Sequence, residues 1–484
     1  MLPHWRLRPE SRANSGLLQD GSIFAHRDKR AITTAAEYAT RRVAILSYDK
    51  PEFTASHGLM PQRIRCDPSI FSLVSQANTS MTIPSATTEP RDIPLRPPRR
   101  RALFYVFDGG SGIGHLRRLA RIAEAMQDHF SCLIVTGHKT APQWIVPNGC
   151  EYVRLPAWDS LIPSKAQYWG HATFLDATLD EAVGLRRSII EGVVRGFRPD
   201  VLIVDHLPLG AYEELAPILK ATQCLRYLVT RGIQNETEDL MRLVLGGSAL
   251  DSLRHDYDRI FSAVDPKIFD LAARYDLPPQ VVDKILSVGY VAPDRGSTLR
   301  ADTRASQGIA NDALWVVASA GSGQWGEPLI EACLALVEHH PDVHFDIVMG
   351  PRSRMRHPGS QALRGSARAR LHSTCSNLQA MHASADVVIT CGGYNSLLEA
   401  LQGDARILCI PYRTDARDEP MHHAKILRRF ADLQVAADVN SLPGLFEASI
   451  SACKKGPARD RRGELDMGGA QRIARMIHSD LDRR

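Results

Sequence analysis

From Ala102 onward, short apolar runs alternate with amphipathic segments. ALFYVF (102–107), SCLIVTG (131–137), CEYVRLP (150–156), VLIVDHL (201–207), CLRYLVT (224–230) and RIFSAV (259–264) have the length and residue types of buried strands. Helical patterns lie between them, over 116–127, 180–196, 211–221 and around 236–256. Such alternation predicts parallel βαβ units with helices on both faces of a sheet. SVGYVAPDRGST (287–298) reads as a strand exit into a Pro/Gly-containing linker, and the alternation then restarts. LWVVASAG, HFDIVMG, LHSTCSN, the run Val387–Cys391, RILCIPY and LQVAAD form the second set of strands, with helices over 326–339, 378–383 and near 420–431. The predicted fold class is α/β: two doubly wound Rossmann-like domains, 102–292 and 306–465, joined by a linker over 293–305 and facing a cleft. GGAQRIARMIHSDL, within 466–484, is a final amphipathic helix.

Residues 1–101 do not share this texture. They are rich in Arg, Pro, Ser and Thr and end in RDIPLRPPRRR, so we expect a largely disordered extension. A basic arm touching an anionic membrane or an acidic partner is the functional alternative. The segment carries 16 Lys and Arg against 9 Asp and Glu, so the net charge of +5 belongs to it and the remainder is about −2. No nucleic-acid partner is expected. No run of 18 apolar residues and no apolar leader core is present, which predicts neither a transmembrane helix nor a secretory signal. Nine cysteines without a C-x-x-C pair point to reduced thiols in a cytoplasm and against a zinc ribbon or disulfide framework.

The candidate chemistry sits where strands end. ADVVITCGGYNSLLEAL (385–401) reads as strand, glycine turn, helix. Backbone N–H groups of such a turn can face an anion, and Glu399, one turn into the helix, can accept hydrogen bonds from a ribose. Ser396-Leu397-Leu398-Glu399 also spells a capping box, in which Glu399 only satisfies the backbone. The first strand runs into Asp108-Gly-Gly-Ser-Gly-Ile-Gly-His115. His115 replaces the third glycine of a dinucleotide fingerprint, and the second strand ends without a ribose-binding acid, which argues against NAD chemistry. Instead the loop offers Gly112, Gly114 and a histidine at a helix N-terminus. The helix favours the neutral imidazole that a general base needs, with Asp108 or another acid orienting the ring. Arg118, one turn on, either steadies a phosphate or sugar hydroxyl or is a surface charge beside Arg117 and Arg121.

VVASAGSGQWGEP (316–328) is a second strand–glycine loop–helix. Ser322 and Gly323 are small enough for a diphosphate to rest on the backbone, and the loop lacks the lysine of a P-loop. A plain turn is the alternative. The loop RTDARDEPMHHAK (413–425) carries Asp415, Asp418, Glu419, His422 and His423. Its carboxylates suit sugar hydroxyls; adjacent histidines on a helix point apart, which disfavours a metal site.

Together these motifs resemble the GT-B glycosyltransferases, especially the family 28 branch containing the murein GlcNAc transferase. Four places between 102 and 484 carry the likeness: GSGIGH (110–115), ASAGSGQWGE (318–327), ITCGGYNSLLEAL (389–401) and PYRTDARDEPMHHAKIL (411–427). GGYNS with its downstream Glu, together with the G-x-G-H-x-x-R start, is close to a group of predicted bacterial glycosyltransferases. The resemblance implies a nucleotide-sugar donor, most often UDP-linked, and a separate sugar-bearing or small-molecule acceptor. It also implies inverting chemistry without metal or cofactor, and a final helix packing back toward the first domain. It implies His115 as the base, and donor contacts from Gly112, Gly114, Ser322, Gly323, Gly393, Asn395, Ser396, Glu399 and Glu419. Asp205 or His206 would lie on the acceptor side. The glutamines of the murein enzyme's donor-sugar loop are replaced here by Glu419 and His422/His423, so its sugar preference does not carry over. The UDP-sugar hydrolase of pseudaminic acid synthesis shares the start motif, so water is an alternative acceptor. A non-catalytic nucleotide-sugar-binding protein is the non-enzyme alternative.

Overall fold

A computed structural model describes residues 99–107, 113–139, 142–158, 177–231, 246–275, 277–293, 300–321, 326–351, 353, 355, 368–411, 419–456 and 461–484. The expected disorder of the N-terminal extension, up to residue 98, lies outside the described residues, as do Asp108, Gly112, Ser322, Gly323, Asp415 and Asp418. Residues 90–484 belong to one compact unit.

Two parallel sheets organise that unit. The first contains β1 (Arg100–Tyr105), β2 (Phe130–Thr136), β3 (Cys150–Arg154), β4 (Val201–Asp205), β5 (Leu225–Thr230), β6 (Arg259–Ser262) and β7 (Ile285–Ser287), in the order β3-β2-β1-β4-β5-β6-β7. The second contains β8 (Trp315–Ser319), β9 (His344–Val348), β10 (Ala369–His372), β11 (Val387–Thr390), β12 (Arg406–Cys409) and β13 (Leu433–Val435), in the order β10-β9-β8-β11-β12-β13. Central strands are apolar on both faces: all five residues of β4 and of β8 are buried. That is the signature of sheets covered by helices on each side. In each sheet the strand order reverses beside its first strand, between β1 and β4 and between β8 and β11. Ligands of open α/β sheets bind outside the C-terminal ends of strands at such reversals.

Four helices matter for the site. These are α1 (Gly114–Met126) after β1, α2 (Leu378–Ser384) before β11, α3 (Tyr394–Ala400) after β11, and α4 (Glu419–Leu427) after β12. The closing helix α5 (Gly469–Asp482) lays Ala470, Ile473 and Ile477 into the apolar cluster of the first sheet, beside Leu116, Leu119 and Ala123 of α1. Asp480 holds it there by ion-pairing with Arg259 at 2.6 Å. The segment before it crosses 288–292: Tyr290 N donates to Asp466 O at 2.7 Å and Gly469 N to Tyr290 O at 2.9 Å.

Several local features differ from the periodicity, each with a physical reason. β1 starts at Arg100, two residues before the apolar run, because Asp200 accepts from Arg101 N at 2.7 Å and Asp482 pairs with Arg100 at 2.7 Å. VLIVDHL stops being strand at Asp205, since His206 takes φ 66°. The helix expected over 211–221 is broken. Tyr212 and Glu213 adopt φ 51° and 57°, and only Ala216–Ala221 is α-helical. The break turns Glu214 inward to Arg186 and Tyr105. The linker holds a helix, Arg300–Ser306, whose Arg300 and Arg304 bond Asp386 and the Ser384 carbonyl. The helix Leu442–Cys453 is a further element that the periodicity does not predict; Pro443 stands in its first turn, and burial of Leu442 and Phe446 anchors it.

Candidate active site

The two reversal points supply the site's residues. His115 is the second residue of α1, after β1; Asp205 is the last residue of the neighbouring β4. His115 Nδ1 lies 2.6 Å from Asp205 Oδ2. Arg118, one turn further along α1, reaches the other oxygen through Nε at 3.1 Å and through Nη2. An Arg118 nitrogen also approaches His115 Nδ1 at 3.2 Å. A carboxylate only accepts and sits closer, so Nδ1 carries the proton and Nε2 keeps its lone pair. Phe107 meets the imidazole edge-on at 5.2 Å, and the His206 ring lies 5.1 Å away.

Electrostatics follow from burial. Burial lowers the His115 pKa from 6.5 to about 4, against the opposing pull of Asp205, so the ring is neutral at pH 7. For Asp205, burial acts to raise the pKa, but Arg118 and His115 outweigh it and hold the carboxyl below its usual range. Arg118 is therefore neither a surface charge nor a free phosphate ligand. It is 1% exposed and keeps Asp205 ionised. The acid that orients His115 is Asp205, which sequence reasoning placed on the acceptor side. Its signal was an acid closing an otherwise apolar strand.

The second sheet contributes the turn after β11. Gly392 has φ 76°, and a Cβ there would come within 2.7 Å of Cys409 Sγ, so the turn requires glycine. Gly393 is the N-cap of α3 and Ser396 its third residue, with no side-chain capping bond. The capping-box reading therefore fails. The Glu399 carboxylate instead receives Arg117 Nη1 at 2.5 Å and Arg121 Nη2 at 2.9 Å, both from α1. Burial acts to raise the Glu399 pKa, and the two arginines outweigh it and lower it. Asn395 ties the same helices together: its Oδ1 accepts from Arg121 at 2.8 Å and its Nδ2 donates to Gly114 O at 3.0 Å. A Cβ on Gly114 would crowd that amide at 3.0 Å. Arg117 and Arg121, read from the sequence only as neighbouring surface charges, thus join α1, which follows the first sheet's β1, to α3, which follows the second sheet's β11. Their spacing on one helix face, i and i+4, was the available signal.

Glu419, the first residue of α4, pairs with Arg231 after β5 at 2.8 Å. His423 is core: it is 2% exposed, its Nε2 lies 3.0 Å from Tyr290 Oη, and its ring stacks on Tyr394 at 5.7 Å. Among the described residues, no group of three or more His, Cys, Asp or Glu side chains converges as a metal site. Among them, too, no helix is long and apolar enough to cross a membrane.

No family model matches the sequence. Nor does any curated protein. Solved structures do match. The glycotransferase of kitacinnamycin is similar with a TM-score of 0.53 at 16% identity, over 80% of this chain and 100% of its own. The calicheamicin glycosyltransferase CalG4 is similar with a TM-score of 0.50 at 16% identity, over 80% and 99%. UDP-GlcNAc 2-epimerase from Neisseria meningitidis is similar with a TM-score of 0.52 at 13% identity, over 80% and 100%. With two parallel sheets, each reversing its strand order beside the strand ends and helices that carry these residues, the chain has the GT-B fold of glycosyltransferases and UDP-GlcNAc 2-epimerases.

Proposed function

We propose that the protein is an inverting glycosyltransferase that moves a sugar from a nucleotide donor, UDP-linked, to an acceptor hydroxyl. The observation that carries this reading is the His115–Asp205 pair, its carboxylate buried and its imidazole partly so, set at the reversal point of the first sheet and linked through α1 to the helix that follows the glycine turn of the second. His115 Nε2 takes the acceptor's proton as its oxygen attacks the anomeric carbon. The bond to the diphosphate breaks, and UDP leaves with the electron pair from the opposite face. Asp205 keeps the reactive tautomer and stabilises the imidazolium that forms. Loop amides and helix termini balance the charge growing on the leaving group. Glu399 takes the ribose hydroxyls, Glu419 the transferred sugar, and Gly112, Gly114, Ser322, Gly323, Gly393, Asn395 and Ser396 line the donor. Nothing in this scheme calls for a metal or cofactor. The likeness to family 28 belongs to the same reading. Uridine diphosphate is also the carrier named for the Neisseria epimerase, which makes it the first probe. Eight described cysteines are unbridged, which suits a reducing cytoplasm, where nucleotide sugars are made.

The test is a thermal-shift panel of UDP, UDP-sugars, GDP-mannose and dTDP-sugars, followed by UDP-release assays with and without candidate acceptors. Stabilisation by uridine nucleotides and acceptor-dependent release are expected. Release without an acceptor would make the enzyme a hydrolase. Binding without turnover would make it a nucleotide-sugar-binding protein. No shift with any nucleotide would end the reading.

A further inference from the structure

Glu399 is held from one side. Its Oε1 receives two guanidinium groups, Arg117 and Arg121, while Oε2 faces His382 Nδ1 of α2 at 3.7 Å, beyond hydrogen-bond distance. His382 is fully buried, and neither of its ring nitrogens has a hydrogen-bond partner among the described residues. Few buried polar groups are left this way in native structures.

The charges are also uneven. Arg118 holds Asp205, and Arg231 pairs with Glu419. Around Glu399, two cations share a single carboxylate oxygen. They are not equivalent. Arg121 is 9% exposed and also bonds Asn395 at 2.8 Å, so it is anchored. Arg117 is 17% exposed, and its bond in this cluster is the one to Glu399. Arg117 is thus the surplus, outward member, two residues from His115.

We propose that Arg117 is a donor-binding residue for the diphosphate, kept on Glu399 until the donor's ribose takes its place. The ribose diol presents two hydroxyl donors to a carboxylate that now serves two guanidinium groups. Arg121 stays and keeps Glu399 neutralised. Arg117, released beside the base, turns its fork of N–H donors to the phosphate oxygens, a geometry for which guanidinium is well matched. The proposal rests on the nucleotide-sugar reading. It adds that ribose and diphosphate binding are coupled through one side chain.

The experiment titrates the full chain with uridine and with UDP by calorimetry, in the wild type, Arg117→Ala and Arg117→Lys. Uridine reports the ribose exchange alone; UDP reports exchange plus diphosphate. Because Arg121 still pairs with Glu399, both variants are expected to fold. In Arg117→Ala the preference for UDP over uridine should fall by roughly tenfold, the size of one charge-assisted contact. Arg117→Lys, which keeps the charge and loses the fork, should fall between the two. An unchanged UDP-to-uridine preference in Arg117→Ala overturns the proposal and makes Arg117 a structural ion pair. If the wild type binds neither probe, the nucleotide-sugar reading fails first and this inference falls with it.

Discussion

His115 Nδ1 and Asp205 Oδ2 lie 2.6 Å apart although 90 residues separate them in the chain. The contact exists because β1 and β4 are neighbours in register, Tyr105 opposite Val204, so the first turn of α1, the helix that follows β1, lies beside the last residue of β4. His115→Ala should lower turnover by about 10²–10⁴-fold, the contribution of a positioned general base. UDP affinity measured by calorimetry should stay near wild type. A collapse of UDP affinity would make the histidine a structural residue.

The pH dependence follows from the same burial. His115 is lowered to about 4, so the base stays neutral well below the usual histidine range. The acid limb of kcat/KM should therefore lie near pH 4 rather than near 6.5. A limb at 6 to 7 assigned to His115 by its variant would contradict the buried, neutral ring.

Stability should also fall with acid. His115 and His382 are lowered to about 4 and His423 to about 3, in each case chiefly by burial. Between pH 6.5 and about 4 the unfolded chain holds these protons and the folded chain does not. Folding free energy is therefore lost as pH falls, by about 1.4 kcal/mol per pH unit for each such histidine. Urea unfolding between pH 7.5 and 4.5 measures the slope; a flat profile would mean that these rings titrate alike in both states.

His382→Leu should lower that slope by about a third, the share of one of three such histidines, and leave stability at pH 7.5 unchanged or raised by about 1 kcal/mol, since it replaces two unbonded buried nitrogens with an apolar group. A loss greater than about 1 kcal/mol in the urea midpoint analysis would show that His382 makes a bond worth keeping.

Away from the site, Arg186 binds Glu214 through Nε and Nη2, each at 2.7 Å, and Tyr105 Oη donates to the same carboxylate at 2.5 Å. All three side chains are buried. Glu214→Ala strands a buried guanidinium and should cost about 3–5 kcal/mol in unfolding free energy. A cost under about 1 kcal/mol would mean that water reaches Arg186.

Sequence alone determined most of the strands and much of the helices, because buried parallel strands and amphipathic helices write their surroundings into every few residues; it misplaced LHSTCSN, whose strand is Ala369–His372. It also marked His115, the Gly392–Gly393 turn and Glu399, since glycine loops and short-range spacing are local. Tertiary structure decided what these groups touch. Nothing near His115 in the chain names Asp205, and nothing near Glu399 names Arg117 and Arg121; strand order and helix packing bring them together. The same long-range pull broke the expected 211–221 helix, where pairing of Glu214 with Arg186 outweighs helix propensity and holds two residues left-handed. A charge's partner is a property of the fold, whereas a strand's apolar pattern is a property of the residues themselves.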